Sequence, residues 1–578
     1  MKEQVINILK KNKFKLIFEF FVLILFTYFK ACPAKYLGNI IDLLYDIQQN
    51  EHAIMQNVIF MVLTTIGIVI ARKIYKYIDF NLEMYMQKIL RENLFEKLMK
   101  LKLEDIKTIK NGEIMSHFVV DVKKVPRYLL RFYSAILRAV ANIIIVFTLM
   151  AESSNIKLAI CAIVPIFVSI IILVIIRKKI RKDYKAARQS YTKLSEFVQE
   201  NTDSIRTVKA FSGEKIEEDN FEEKNQELRK NNLKVSYNKG LSDVIINIGI
   251  GISYTIAIMW GTNLVVNGNM TVGNVVAFIG YLTLLDLPMR FIPWVISRYD
   301  ELKISVSRLD KMFKLPEEKI KVEENVTETI SGDIEINNLS YHYPDSLDKV
   351  LSEITLNVKK GETLGIIGVI GSGKTTLMNL LLKLYFVPRG KISIGGKDIN
   401  DIPTEILRNS ICYITQENFL FSSSLKENIN LFKDIYKDEE IEESTKKAMI
   451  HDEIQKMEEG INTIIGEKGI DLSGGQKQRV VISRAFLNNS NIVIFDDTFS
   501  ALDNKTEQHV LNNIKELVKD KTCIIISNRI SDIKDCDKII VMEQGKIIER
   551  GKHNDLLKRD GKYHEFYKGQ ANKIEILE

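Results

Sequence analysis

The chain has 578 residues, a hydrophobic fraction of 46% and a formal net charge of +7 at pH 7. A single core rarely grows beyond ~300 residues, so this length predicts two or more domains. Its five cysteines show neither paired nor metal-ligand spacing, which excludes a disulfide framework and a zinc site and favours a reducing compartment for the soluble part.

The apolar residues are concentrated before residue 297, in six segments that are each long enough to cross a bilayer as a helix of ~20 residues. The charged segments between them keep a helical apolar period, which predicts cytosolic extensions of the membrane helices. We therefore predict an all-α, six-helix transmembrane domain over residues 1–315, a linker over 316–332 and a soluble α/β domain over 333–570. The spans lie near residues 16–40, 54–78, 129–151, 156–177, 242–266 and 271–296.

Lysine and arginine residues orient these spans. Residues 79–128 carry ten of them and residues 178–240 are similarly basic, whereas the connections 41–53, 152–155 and 267–270 carry none. By the positive-inside rule, the N-terminus, both long loops and the C-terminal domain lie in the cytoplasm. The predicted location is the cytoplasmic membrane, with the lipid bilayer as a partner. Because orientation accounts for the basic loops, we expect no nucleic-acid binding.

Ionisable side chains inside the spans are candidates for a cargo pathway, because a charge at bilayer depth is costly and is retained for function. Asp286 and Arg290 lie four residues apart and can neutralise each other, so a purely structural pair stays open. Glu19 and Arg131 could instead lie at the cytoplasmic border. A drug, a lipid or a peptide fits as cargo equally well. The candidates are Glu19, Lys30, Arg131, Arg138, Asp286 and Arg290.

The soluble domain contains a phosphate-binding loop, Gly368-Val-Ile-Gly-Ser-Gly-Lys-Thr375, which matches G-x-x-x-x-G-K-[ST] in full. The loop follows an apolar strand at 363–367 and precedes an apolar helix at 377–384, as the motif requires. Its backbone N–H groups can face phosphate oxygens, Lys374 can neutralise the β- and γ-phosphates, and the Thr375 hydroxyl can complete a Mg²⁺ site. The predicted ATP-binding residues here are Gly368, Val369, Ile370, Gly371, Ser372, Gly373, Lys374, Thr375 and Thr376.

About a hundred residues later comes a second motif, Leu472-Ser473-Gly474-Gly475-Gln476. With this signature after a phosphate loop and six spans, the chain resembles an ATP-binding cassette (ABC) exporter half-transporter over essentially its whole length. The resemblance implies a membrane domain fused to an α/β P-loop nucleotide-binding domain, ATP hydrolysis coupled to export, and ATP and Mg²⁺ as cofactors. Lys107–Val122 and Glu200–Phe211 resemble the family's two coupling regions. An importer is disfavoured, because importers usually carry the two parts on separate chains.

The resemblance also implies roles for single residues. Tyr343 stands where the family stacks an aromatic ring on adenine, although a strand residue that packs inward stays open. Gln416 resembles the glutamine that contacts Mg²⁺ and the attacking water; its alternative is a surface amide. Asp496 ends a buried strand, where a Mg²⁺ ligand belongs. The implied metal residues are therefore Thr375, Gln416 and Asp496, and Ser500–Asp503 resembles the loop that links the two sites of a dimer.

Two positions depart from the family pattern, and both belong to the catalytic group of Gln416, Asp497 and Asn528. Asp497 replaces the glutamate that orients the hydrolytic water. Aspartate is one methylene shorter, so its oxygens fall about 1.3–1.5 Å short, and a misplacement of that order can cost ~100-fold in rate. Asn528 replaces a histidine and can neither carry charge nor relay a proton. The two changes predict a degenerate site, one that binds ATP and hydrolyses it poorly.

The family's dimer geometry turns these departures into a prediction about the partner. Each ATP lies between the phosphate loop of one subunit and the signature of the other. An intact signature beside an impaired phosphate-loop site predicts a second, non-identical ABC half-transporter whose competent site this signature serves. The cargo could be a small molecule, a lipid or a peptide. A slow homodimer on Asp497 and a regulatory or sensor membrane protein remain the alternatives.

Overall fold

The structure is a computed structural model that describes residues 2–153, 156–318, 328–344, 346, 348–466 and 472–575. The chain divides into two compact units, the first comprising residues 1–99 and 109–315 and the second comprising residues 100–108 and 316–578. The first unit is helical and the second contains two β-sheets with helices. Of the predicted linker, residues 319–327 lie outside the described residues.

Long helices build the first unit, and they follow the apolar runs of the sequence. Two short helices, Asn111–Ser116 and Ile205–Ala210, and a π-helical turn at His117–Asp121 interrupt them. The helices are α1 (Lys2–Lys11), α2 (Lys13–Leu43), α3 (Ile47–Met99), α5 (Asn111–Ser116), α6 (Val122–Ser153), α7 (Ile156–Asp203), α8 (Ile205–Ala210), α9 (Glu214–Val266), α10 (Val272–Leu284) and α11 (Asp286–Lys314), while α4 (Leu103–Thr108) belongs to the second unit.

Each predicted span lies in this helical framework. Helices α2, α3, α6, α7 and α9 contain the first five spans, and α3, α7 and α9 also include most of the predicted cytosolic extensions. The sixth predicted span is not one helix, because α10 ends at Leu284 and α11 begins at Asp286. Pro288 has no amide N–H to donate to the carbonyl of Leu284 four residues earlier, so one helical hydrogen bond is missing at this point.

Four helical stretches within the described residues are long and apolar enough to cross a membrane, and Val272–Leu284 is a shorter apolar helix. The first of the four contains two of the predicted spans. These stretches fit at least four crossings, and the number six stays a prediction. They are Lys13–Met99, Asn111–Glu152, Ile156–Ile176 and Glu214–Val266.

Helices α2 and α10 approach each other closely through two glycines. A Cβ atom on Gly38 would lie 2.4 Å from the carbonyl oxygen of Gly273, and one on Gly273 would lie 2.0 Å from the carbonyl oxygen of Gly38. Asp42 fixes the same contact, because its carboxylate accepts hydrogen bonds from the Gly273 N–H at 2.7 Å and from the Thr271 hydroxyl at 2.6 Å. Small residues at such a crossing are typical of membrane helices, whose association depends on close packing.

We expect Gly38→Leu to lower the unfolding temperature of the purified chain. The new side chain would overlap the α10 backbone, and overpacking of this kind costs about 1–3 kcal/mol or more. Thermal unfolding in detergent measures the loss. Gly251→Leu is the matched control, because a Cβ atom at Gly251, also inside a long helix, would meet nothing within 4 Å. Equal unfolding temperatures for the two variants would contradict the close contact.

The second unit contains two sheets. One has four strands in the order β2-β1-β4-β5 with antiparallel pairing, and the other has six in the order β10-β9-β3-β8-β7-β6. In the larger sheet all neighbours are parallel except β10 and β9. The strands are β1 (Ile334–Tyr341), β2 (Leu351–Val358), β3 (Thr363–Gly368), β4 (Ile392–Ile394), β5 (Lys397–Asp398), β6 (Ile411–Ile414), β7 (Ile492–Asp496), β8 (Thr522–Ile526), β9 (Lys538–Glu543) and β10 (Lys546–Gly551).

Helices cover the larger sheet, so its central strands are buried. Every residue of β7 and of β8 is buried, as expected of parallel strands covered on both faces. The carboxyl ends of β3, β7 and β8 therefore meet at one edge, where ligands bind in open α/β sheets. The helices are α12 (Lys374–Leu381), α13 (Thr404–Ser410), α14 (Leu425–Asn430), α15 (Asp438–Lys447), α16 (His451–Gln455), α17 (Gly474–Leu487), α18 (Asn504–Leu517), α19 (Ile530–Ile533), α20 (His553–Leu557) and α21 (Lys562–Glu575).

The segment Lys100–Thr108 packs within the second unit although it lies far away in sequence. The Glu318 N–H donates to the Lys100 carbonyl at 2.7 Å, and the Phe386 N–H donates to the Glu104 carboxylate at 3.1 Å. The Lys107 ammonium lies 5.3 Å from the centre of the Tyr385 ring. Of the region Lys107–Val122, which we expect to be the first coupling region, Lys107 and Thr108 belong to this unit and the rest belongs to the first unit.

Candidate functional site

The phosphate loop joins the end of β3 to the start of α12, and two of its glycines are required by their surroundings. A Cβ atom on Gly368 would lie 2.1 Å from the carbonyl oxygen of Met542 on the neighbouring strand β9. Gly373 has φ +97° and a Cβ atom there would lie 2.6 Å from Leu351. Any other residue at these positions would displace the loop from the strands that hold it.

Lys374 is the first residue of α12 and folds back across the loop. Its ammonium donates to the carbonyls of Gly368 at 2.6 Å and Val369 at 3.0 Å. Burial lowers the pKa of Lys374, while the charges of Asp496 and Asp497 act in the opposite direction. The ammonium is thus positioned beside the loop backbone, where a bound phosphate would meet it.

One cavity of about 190 Å³ brings the predicted nucleotide residues together from distant parts of the sequence. The phosphate loop forms one wall, and the carboxyl ends of β7 and β8 with the loop after β6 form the rest. Among the predicted site residues, the cavity is lined by Ile370, Gly371, Ser372, Gly373, Lys374, Thr375, Thr376, Gln416, Asp496, Asp497 and Asn528.

Asp496 and Thr375 form the oxygen-rich part of the cavity. The Thr375 hydroxyl donates to the Asp496 carboxylate at 3.0 Å, and the Tyr413 hydroxyl donates to the same oxygen at 2.9 Å. Burial raises the pKa of Asp496, although both hydrogen bonds oppose this effect. A hydroxyl and a carboxylate this close, with the Gln416 amide at the same cavity, fit the oxygen ligands that Mg²⁺ prefers.

Asp497 is held in place by its backbone. It has φ +49°, a left-handed conformation that aspartate tolerates better than most side chains, and its N–H donates to the Ile526 carbonyl at 2.8 Å. The carboxylate accepts a hydrogen bond from the Gln416 side-chain amide at 3.3 Å. The short carboxylate therefore starts from a fixed backbone position and already has a partner across the cavity.

Asn528 is also fixed through its main chain. Its carbonyl accepts a hydrogen bond from the Gln570 amide at 2.7 Å, and the Gln570 oxygen accepts one from the Ile530 N–H at 2.9 Å. The Asn528 side chain is exposed at the cavity. Gln570 thus closes a bridge around the turn between β8 and α19.

Tyr343 is half-buried, and its hydroxyl lies 2.9 Å from the Thr376 hydroxyl. Its ring packs edge-to-face against Tyr341 and Tyr385, with centroid distances of 5.3 and 5.2 Å. These contacts correspond to the inward-packing alternative for this residue. The adenine-stacking role stays a prediction.

The signature residues open helix α17 and lie apart from the cavity. Leu472 is buried in the core, whereas Ser473 is exposed and caps the helix. The Ser473 N–H donates to the Gln476 side chain at 2.7 Å, and the Gln476 N–H donates to the Ser473 hydroxyl at 3.3 Å. The helix begins at Gly474. In the described part of the chain, none of the five signature residues lines the cavity of the phosphate loop.

A short series of contacts connects the signature helix with the loop after β7. The Gln478 side chain accepts a hydrogen bond from the Ala501 N–H at 3.0 Å, and a Cβ atom on Gly475 would lie 3.1 Å from the Ala501 carbonyl. The Ser500 hydroxyl in turn donates to the Asp497 carbonyl at 3.3 Å. The segment Ser500–Asp503 therefore contacts both the signature helix and the residue after β7.

Comparison with known proteins assigns the family. Residues 16–289 match the ABC transporter transmembrane region and residues 351–500 match the ABC transporter domain. Over 542 residues the chain is 32% identical to the probable multidrug resistance ABC transporter ATP-binding/permease protein YheI of Bacillus subtilis (strain 168), covering 93% of this chain and 92% of the relative. This chain belongs to the ABC transporter family.

Further comparisons extend this assignment to the ABC exporters. A Staphylococcus aureus (strain NCTC 8325) ATP-binding/permease protein, named for multidrug export, is 34% identical over 482 residues, or 83% of either chain. The structure of a bacterial Atm1-family ABC exporter with ATP bound superposes with a TM-score of 0.79 at 25% identity and covers 97% of this chain and 98% of that one. The predicted fold class, a helical membrane domain followed by an α/β nucleotide-binding domain, is confirmed.

Several functional predictions are confirmed at the level of the family. This ABC exporter half-transporter has an ATPase domain that binds ATP and couples its hydrolysis to transport. It works as part of a dimer in a lipid bilayer, with a multi-pass membrane domain. The sequence analysis missed two residues that form hydrogen bonds with members of the predicted site: Tyr413, which bonds to Asp496, and Gln570, which bonds to Asn528. Tyr413 lies on β6, and its alternation with the buried Cys412 and Ile414 was the available signal.

Proposed function

We propose that this ABC exporter is one half of a heterodimer and holds the degenerate ATP site of the pair. The observation that carries the proposal is that Asp497 and Asn528 line the same cavity as a complete phosphate loop. ATP binding needs the loop, whereas hydrolysis also needs a well-placed base and a group that can polarise the attacking water. The first requirement is met in this chain and the second is not.

The fixed backbone of both substituted positions supports this proposal. The Asp497 N–H is bonded to Ile526 and the Asn528 carbonyl is bonded to Gln570, so neither segment is free to move toward the γ-phosphate. The methylene that Asp497 lacks is therefore not offset by the main chain. A displacement of ~1 Å at a catalytic group can cost ~100-fold in rate. Asn528 cannot compensate, because an amide does not titrate.

The position of the signature supports a non-identical partner. Ser473 is exposed and lies outside the cavity of its own chain, so it is available to an ATP bound on another subunit. The N-terminus of α17 suits a γ-phosphate, because its free N–H groups and dipole favour negative charge. With an identical partner, this signature would serve only an impaired site. If the partner has glutamate and histidine at the matching positions, this signature serves a competent ATP site.

Mg²⁺ is the proposed metal, held by Thr375 and Asp496 with Gln416 beside them. The ion would neutralise phosphate charge as it develops during hydrolysis. Lys374 binds the same phosphates from the loop side. Gln416 is bonded to Asp497 at 3.3 Å, so it orients the short carboxylate. Tyr343 supplies an aromatic ring for the adenine once its contact with Thr376 opens.

We place the exporter in the cytoplasmic membrane, with its N-terminus and its ATPase domain in the cytoplasm, because the basic segments flank the spans on that side. The names of the relatives from B. subtilis and S. aureus favour small molecules of the multidrug type as cargo. The same architecture also fits lipids and peptides as cargo. A regulatory or sensor protein would differ in one measurable property, since its ATPase would not be stimulated by a transported compound.

We expect the purified chain alone to hydrolyse ATP slowly, because Asp497 and Asn528 place and polarise the water badly. Steady-state phosphate release in lipid nanodiscs measures this rate. Turnover in the range of ~1–1,000 per second, common among enzymes, would contradict the degenerate site and favour the homodimer.

The double substitution Asp497→Glu with Asn528→His is the matched gain-of-function control. It restores the missing methylene and the titratable ring while leaving the phosphate loop unchanged. Turnover of the homomer should then rise by about 100-fold or more if placement of the water limits the rate. An unchanged rate would show that another feature of this chain, not these two residues, limits hydrolysis.

A further inference from the structure

Helices α2, α3, α6 and α11 line a second, partly open cavity of about 390 Å³ within the first unit. Four cationic side chains line it: Lys30, Arg72, Lys76 and Arg138. The sequence identified Lys30 and Arg138 as separate intramembrane charges. The structure brings them together and adds Arg72 and Lys76 from α3. Arg290 was a further candidate, but its side chain lies outside the described part of the structure.

These cations have no carboxylate partner within ion-pair distance among the described residues. The Arg138 guanidinium instead donates to the Tyr75 hydroxyl at 3.4 Å and to the Ser134 carbonyl at 3.2 Å. The Arg72 guanidinium lies 5.7 Å from the centre of the Phe26 ring. Neutral contacts of this kind position a cation without cancelling its charge.

The charge of the cavity is consequently positive. None of its described lining residues is acidic. Glu19 and Asp79 act electrostatically on Arg138 from nearby, but neither lines the cavity. The charges of Arg72 and Arg138 also act on Lys30, so the cations repel one another. An anion bound among them would relieve this repulsion, which is otherwise expensive at bilayer depth.

Asn142 provides a second, independent indication of a ligand. Its side chain lines the same cavity and is only 8% exposed, yet its amide oxygen has no hydrogen-bond partner. A buried polar atom without a partner costs about 1–3 kcal/mol, so such atoms are rare unless something binds them. A ligand with an N–H or O–H group beside its acidic group would satisfy Asn142.

The remaining walls are apolar and aromatic. Phe26, Tyr75 and Phe291 line the cavity together with Ala135 and Ala139. Such a surface accommodates the hydrocarbon or aromatic part of a ligand, while the cations hold its charged end. The predicted spans place the cavity between the cytoplasmic end and the middle of the membrane. Arg72 and Lys76 lie near the cytoplasmic end of the second span, whereas Lys30 and Asn142 lie near the middle of the first and third.

We propose that this cavity binds acidic amphiphiles, compounds with a carboxylate or phosphate head, an N–H or O–H group beside it and an apolar body, and that they are cargo of this exporter. The proposal rests on the proposed export function and specifies its substrate class. A cationic compound of the same size would be repelled by four like charges. Acidic amphiphiles can come from two sources, free organic acids and anionic lipids of the inner leaflet.

Binding of a matched pair of fluorescent probes tests the proposal. The probes are dansyl-phenylalanine, whose sulfonamide N–H lies beside its carboxylate, and its methyl ester, so they differ in the charge of one end. With the full chain in phosphatidylcholine nanodiscs, we expect the acid to bind at least tenfold more tightly than the ester. Arg138→Gln and Lys30→Gln should each weaken binding of the acid by about tenfold or more and leave the ester unchanged.

Lys73→Gln is the control, because Lys73 is exposed on α3 beside Arg72 and does not line the cavity. It should leave both affinities unchanged. Unfolding temperatures of all variants show whether a loss of binding reflects a loss of fold. Equal affinity for acid and ester, or unchanged binding of the acid in both folded cavity variants, would overturn the proposal.

Two further measurements distinguish a failure of the proposed binding site from a failure of the proposed export function, and distinguish free acids from anionic lipids as natural ligands. Selective binding of the acid without ATP-dependent movement of any probe in vesicles would refute export but support the site. ATP-dependent movement of neutral or cationic dyes without binding of the acid would refute the site but support export. Phosphatidylglycerol in the nanodisc identifies the source of the ligand. It displaces the acid probe if anionic lipids are the natural ligands, and it leaves the probe bound if free organic acids are.

Discussion

Lys374→Ala is expected to abolish tight MgATP binding to this chain. The ammonium lies against the carbonyls of Gly368 and Val369, and it supplies the positive charge that faces the β- and γ-phosphates. Charge-assisted contacts to phosphate are among the strongest that a side chain makes, and we expect a loss of ~100-fold or more in affinity. Photocapture of a labelled azido-ATP by the purified chain measures this loss.

Thermal unfolding separates a loss of binding from a loss of fold. In the unsubstituted protein, ATP at a hundredfold excess over its Kd should stabilise the folded state by about 2.7 kcal/mol. Lys374→Ala should unfold near the normal temperature but gain nothing from ATP. Lys397→Ala, an exposed lysine on β5 of the same domain, should retain the full ATP effect. Undiminished photocapture by Lys374→Ala would refute the assigned role.

The residues that line the phosphate-loop cavity could be selected from the sequence because they lie in short, contiguous motifs. The phosphate loop needs glycine at Gly368 and Gly373 for reasons of local backbone geometry, and these appear directly as sequence letters. Asp496 follows an unbroken apolar run, so its place at the end of a buried strand could be inferred. Tyr413 and Gln570 could not be found this way, because their contacts depend on how distant segments pack.

The membrane cavity could not be predicted either, because it depends on how the helices pack. Each cation lies on a helix that the sequence predicted, but an apolar run does not specify which faces of two helices meet. Arg72 and Lys76 lie near the cytoplasmic end of their predicted span, where basic residues are ordinary. Only the packing of α2, α3 and α6 shows that they face Lys30 and Arg138. Hydropathy also did not predict the break between α10 and α11, because it does not depend on the amide N–H that Pro288 lacks.

The second large effect concerns asymmetry between the two ATP sites of the complex. With the true partner bound, Ser473→Ala and Gly475→Ala should stop most ATP turnover, because this signature serves the competent site. In Gly475→Ala the new methyl group would lie 3.1 Å from the Ala501 carbonyl and crowd the loop beside it. Asp497→Asn should reduce turnover much less, since its own site contributes little. Steady-state ATPase rates of the purified complex measure all three.

Loss of a helix cap alone must be distinguished from loss of the signature. Ser473→Ala removes a capping box and is expected to cost about 1 kcal/mol of stability for that reason alone. Ser424→Ala removes a cap of the same kind, because Ser424 and Glu427 form a capping box at the start of α14. Ser424→Ala should therefore show a similar loss of stability but retain far more turnover than Ser473→Ala.

The order of the effects decides between the two kinds of dimer. In a homodimer both sites would depend on Asp497 and on this signature alike, so Asp497→Asn would be as severe as the signature variants. In the heterodimer the signature variants are the more severe, because the competent site takes its carboxylate from the partner and only its signature from this chain. The contacts from Gln478 through Ala501 and Ser500 to Asp497 leave room for a modest effect of Asp497→Asn on the other site. If Asp497→Asn abolishes turnover as fully as the signature variants do, this chain's own site is active and the heterodimer proposal fails.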